Sequence, residues 1–126
     1  MTLKGAVPAI LAALVLAMPA AAQAPGPTSA FDGTYAGVSA HTFKSTGHGR
    51  PCPRWHTPEA LTITNGAVHS GTRDRWAGHV NPQGHVVLRN KHAMRVDARV
   101  DPQGTITGRY HGPACSVDFV WQKQPQ

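Results

Sequence analysis

The stretch Val100-Asp101-Pro102-Gln103-Gly104-Thr105 constrains this chain more than any other. Proline sets φ for the first turn position, and glycine accepts the left-handed conformation at the last. The aspartate ahead of proline caps the reversal through its carboxylate. The product is a three-residue hairpin loop, a type I turn closed by a G1 bulge. Such a loop sets the register, and register decides which side chains share a face. Val96, Ala98, Val100, Ile106, Gly108 and Tyr110 fall on one face. Asp97, Arg99, Thr105, Thr107 and Arg109 fall on the other, with an Asp97–Arg109 ion pair expected across the strands. A second copy, Val80-Asn81-Pro82-Gln83-Gly84, stands twenty residues earlier. It opposes Asn81 to His85, Val80 to Val86 and Gly78 to Leu88, with Trp76 inward and Arg75, Ala77 and His79 outward. The repeat is turn punctuation, one hairpin period long, with too few copies for a solenoid.

The same reasoning extends in both directions. Asn65-Gly66 is a two-residue type I′ signal that opposes Ile63 to Val68 and Leu61 to Ser70. In CSVDFVW, Cys115, Val117, Phe119 and Trp121 point inward, while Ser116, Asp118 and Val120 point outward. In FDGTYAGVSA, glycines flank the inward Tyr35, as in a sharply bent strand or a close backbone approach. No segment sustains helical periodicity. Strands are expected at 32–42, 58–64, 67–72, 74–80, 85–89, 93–100, 105–111 and 115–122. Short strands joined by tight turns imply an all-β fold, an antiparallel up-and-down meander of about eight strands that forms a small closed or nearly closed barrel.

Residues 1–22 read as a signal peptide. Lys4 supplies a short positive start, Ala6 to Ala17 an apolar core too short to span a bilayer, and Ala20-Ala21-Ala22 the small residues for cleavage after Ala22. Residues 23–30 have the composition of a disordered lead-in, 31–122 form the β-domain, and 123–126 are a fraying tail. The expected location is periplasmic or secreted, with no transmembrane segment in the mature chain. Two cysteines remain, Cys52 and Cys115, and an even count in an exported protein implies a disulfide. The enclosed loop of about 64 residues would contribute about 4 kcal/mol in the chain-entropy model.

FDGTYAG near the start, LTITNGAV in the middle and ITGRYHGPACSVDFVWQ near the end carry a resemblance. The chain resembles small exported proteobacterial β-barrel proteins of unassigned function, over most of residues 31–122. That resemblance implies architecture and transfers no catalytic residue. The chain is also similar, more loosely, to periplasmic barrels that inhibit secreted metalloproteases, in size, export, disulfide and strand number. Its cysteines are more widely spaced than theirs. The similarity implies a protease as an alternative partner, met by residues 23–30 or by the 44–58 loop.

Removing Lys4 with the leader leaves 11 basic residues against 6 acidic ones, a charge of +5. Arg75, Arg89, Arg95, Arg99 and Arg109 fall on the outward face of adjoining strands, with His79 and His85 beside them. Such a face attracts an anionic envelope polymer or an acidic protein, and arginine suits bidentate contact with phosphate or carboxylate. The bland alternative is a solvated face that keeps the sheet soluble. Stacking aromatics are missing there, which argues against single-stranded nucleic acid.

The histidines of the mature chain are His41, His48, His56, His69, His79, His85, His92 and His111. None forms an HxH or HxxxH pair on one element, so no metal site and no cofactor are expected. Glu59 is the sole glutamate, the aspartates show no paired-carboxylate spacing, and no GxSxG occurs, so no catalytic residue is assigned. Trp55 and His56, beside Cys52 in the long Gly/Pro loop, stand at the expected mouth of the barrel. There they either cover the core or meet a small ligand.

Overall fold

The computed structural model describes residues 28–44, 55–112 and 115–125, together with Gly5. The expected leader apart from Gly5, residues 23–27 of the lead-in, His48 and Cys52 lie outside the described residues. The eight strands are β1 (Gly33–Lys44), β2 (Leu61–Thr64), β3 (Ala67–Ser70), β4 (Ala77–Val80), β5 (His85–Arg89), β6 (Arg95–Val100), β7 (Thr105–His111) and β8 (Cys115–Lys123). They form a closed antiparallel barrel in sequence order, in which β1 pairs with both β2 and β8.

The three expected hairpin registers are the observed ones: Ile63 opposite Val68, Val80 opposite Val86, and Val100 opposite Ile106. Each arises from local turn chemistry. Asn65 and Gly66 sit at φ 49° and 78°, and Gly84 and Gly104 at 84° and 80°. The Asn81 and Asp101 side chains each accept two backbone N–H groups of their own turn, at 2.9–3.0 Å.

The turns also interlock. The Gly66 carbonyl accepts the Val80 N–H, the Gly84 carbonyl the Val100 N–H, and the Gly104 carbonyl the Lys123 N–H, each at 2.8 Å. Every left-handed glycine thus carries the ladder onto the next hairpin. The twenty-residue period is the distance between the second of these hand-overs, at Gly84, and the third, at Gly104.

Alternation places Leu61, Ile63, Val68, Leu88, Val96, Ile106, Val117, Phe119 and Trp121 inside, each at most 4% exposed. Phe119 lies at the centre of the aromatic packing. It stacks on Trp121 at 5.7 Å and meets Trp76 and Trp55 edge-on at 5.6 and 5.7 Å. Phe31 packs against the core from the turn side, its carbonyl accepting the Tyr35 hydroxyl at 2.6 Å. The interior is filled with side chains, as small eight-stranded barrels require.

The barrel is closed and antiparallel. Cys115 is buried and disulfide-bonded, and Cys52, the partner expected for it, lies outside the described residues. Closure rests on backbone pairing of β1 with β8, from Tyr35 opposite Lys123 to Lys44 opposite Cys115. The register of that ladder shifts between Gly37 and Ser39. A Cβ on Gly37 would lie 1.8 Å from the Pro58 carbonyl oxygen, so the bend and the close approach expected of β1 occur at the same glycine.

Candidate anion-binding face

Side chains that alternate outward on β4, β5 and β6 build the face. Arg89 stands directly opposite Arg95, and four residues back along β5 His85 stands opposite Arg99. Between these two pairs Val87 faces Asp97 on one side and His79 on the other. A shallow depression of about 670 Å³ lies here, lined among others by Ala77, His79, His85, Val87, Arg89 and Arg95. Arg95 donates from Nε and Nη2 to Asp97 Oδ1, at 3.3 and 3.2 Å. This pair is solvent-exposed and contributes little to stability. Arg89 and Arg99 have no acidic partner within ion-pair distance among the described residues.

The structure does not gather all five sequence-nominated arginines into one patch. Arg75 sits in the β3–β4 connection, in the left-handed conformation at φ 54°. Arg109 is neutralised from the far side: its Nε and Nη2 meet Asp118 Oδ1 and Oδ2 at 2.5 and 2.8 Å. This corrects the expected Asp97–Arg109 ion pair, although those residues do stand opposite each other. Asp118 faces Arg109 equally directly from β8, and the Phe43 ring beyond it lies 5.7 Å from the guanidinium. Leaning toward β8 gives Arg109 both contacts, while Asp97 is left to Arg95. The Asp118 carboxyl is held below its usual range by the Arg109 hydrogen bonds and charge, helped by His41 and His111.

The expected mouth is partly covered. Trp55 is half-buried against Phe119, while His56 is exposed. Glu59 serves the fold. Its carboxylate accepts the Arg73 and Asp74 N–H groups at 3.2 and 3.1 Å, and its carbonyl accepts the Trp121 indole N–H at 2.9 Å. The Asp74 hydrogen bond is the main reason its carboxyl sits below the ordinary range. Among the described residues no group of three or more His, Cys, Asp or Glu is placed to hold a metal ion.

Sequence reasoning passed over Val87. The outward phase of His85 and Arg89 on the same strand was the signal for it, and it is among the exposed large apolar side chains, at 37%. Among the described residues the outward positions of β5 and β6 carry Arg, His and Asp, and Val38, Phe43 and Val87 are also exposed. No described helix is long and apolar enough to cross a membrane. No protein-family model, curated protein or solved structure matches the chain.

Proposed function

We propose that this chain is an exported, non-catalytic recognition barrel that binds an anionic envelope component or an acidic protein surface through the outer face of β4, β5 and β6. One observation carries the reading: Arg89 and Arg95 occupy directly opposed positions on β5 and β6. Like charges so placed weaken a strand pair. At β7–β8 the same barrel sets an arginine against an aspartate instead. A face that retains opposed arginines, with Arg99 unpaired among the described residues, suits a carboxylate or phosphate brought by another molecule. The leader-like composition of residues 1–22 supports a place outside the cytoplasm.

The test is titration of the mature protein with linear polyphosphate over a range of salt. The triple variant Arg89→Ser, Arg95→Ser, Arg99→Ser should bind at least about tenfold more weakly, with a flatter salt dependence. Arg109→Ser removes one formal charge outside the face and should change affinity by less than about twofold. Wild-type affinity in the triple variant would defeat the reading.

A further inference from the structure

The depression on this face is not uniformly cationic. Arg89 and Arg95 mark one end, with Ala77 directly opposite Arg89, and the imidazole of His85 marks the other. Between them lies the exposed Val87, with His79 directly opposite it on β4. His85 and Arg89 are four residues apart on β5, which is about 13 Å at the rise of a strand. A plain polyanion needs only the charges and gains nothing from an apolar strip edged by hydrogen-bonding rings. A sugar chain has the matching composition: an apolar C–H face, a rim of hydroxyls and, in an acidic sugar, a carboxylate on the ring.

We infer that the depression binds an acidic oligosaccharide of two to three rings, the length that about 13 Å of strand accommodates. One carboxylate sits between the guanidinium groups of Arg89 and Arg95. The C–H face of the next ring lies on Val87, and its hydroxyls reach His79 beside it and His85 beyond. Asp97 bonds Arg95 from the side, which orients the guanidinium and also competes with the incoming carboxylate. This inference rests on the anion-binding reading above and narrows it to one class of ligand.

Two probes separate the two claims: trigalacturonate and linear polyphosphate, each titrated into the mature protein and followed by backbone amide chemical shifts. Trigalacturonate should move amides in residues 77–89 and 95–99. Arg89→Gln should weaken both probes at least about tenfold. Val87→Ser should weaken trigalacturonate about fivefold and leave polyphosphate unchanged, since only the sugar uses the apolar contact. Asp97→Asn should tighten both. All three sites are exposed, and an unchanged spectral dispersion confirms the fold of each variant. If polyphosphate binds while trigalacturonate leaves these amides unmoved, or if Val87→Ser has no effect on trigalacturonate, the saccharide inference falls and the anion reading stands. If neither probe binds, both fall.

Discussion

The two ends of the barrel are built on different principles. At the end holding residues 65–66, 81–84 and 101–104, each reversal is made by its own sequence. A left-handed asparagine or glycine, or an Asx side chain, satisfies the turn locally, and the glycine carbonyl links it to its neighbour. The opposite end is held by contacts between residues far apart in sequence. Pro58 rests on Gly37, Glu59 clamps residues 73 and 74, and Trp121 reaches the Glu59 carbonyl. Even the hairpin at this end deviates. Asn90 accepts the His92 and Met94 N–H groups as Asn81 and Asp101 accept theirs, but Ala93 stands at φ 61° where the other turns have glycine. One end is therefore specified turn by turn, and the other depends on the assembled barrel.

The sharpest break of this contrast is at Gly37. Gly37→Ala forces a methyl group into the Pro58 carbonyl, and it should cost about 3 kcal/mol or more in urea unfolding. Next comes Glu59→Gln, which weakens the clamp and should cost about 1–2 kcal/mol at neutral pH. Its pH dependence has a definite sign. The folded carboxyl lies below the ordinary value of 4.5, so its contribution is complete above that pH and disappears as pH falls through the lowered folded value. Wild type should therefore lose its advantage over Glu59→Gln as the pH is lowered below the ordinary value of 4.5, measured by thermal melting at a series of acidic pH values. Smaller and opposite in sign is Ala93→Gly, which should stabilise by about 1 kcal/mol, whereas Gly84→Ala at the other end should destabilise by at least as much. Smallest is Asp118→Asn, which breaks an exposed ion pair and should cost less than about 1 kcal/mol.

What could be read from the sequence follows the same division. At the end made of self-contained turns, strand limits are legible to within one residue, because Asn-Gly and Pro-Gln-Gly encode their φ angles directly. Every larger discrepancy lies at the other end. Strands expected to start at 58, 74 and 93 start at Leu61, Ala77 and Arg95, since Glu59, Asp74 and Ala93 are taken up by clamps and a turn. No local signal marks Asn90-Lys91-His92-Ala93 as a tight reversal, because it contains neither proline nor glycine. The candidate face was legible in its arginines and histidines, which follow from alternation along β5 and β6. The removal of Arg109 by Asp118 was not. It depends on the β7–β8 register and on a ring contributed by β1, neither of which the hairpin turns determine.

The hand-over of hydrogen bonds from each glycine carbonyl to the next hairpin bears on how such a molecule can change length. Adding a residue to any of those three reversals would shift the glycine acceptor away from its donor on the following strand, Val80, Val100 or Lys123, disturbing two neighbouring elements at once. At the opposite pole an insertion between β3 and β4 would meet a different coupling, because Glu59 holds the Arg73 and Asp74 N–H groups and the Asp74 carbonyl takes the Lys91 N–H.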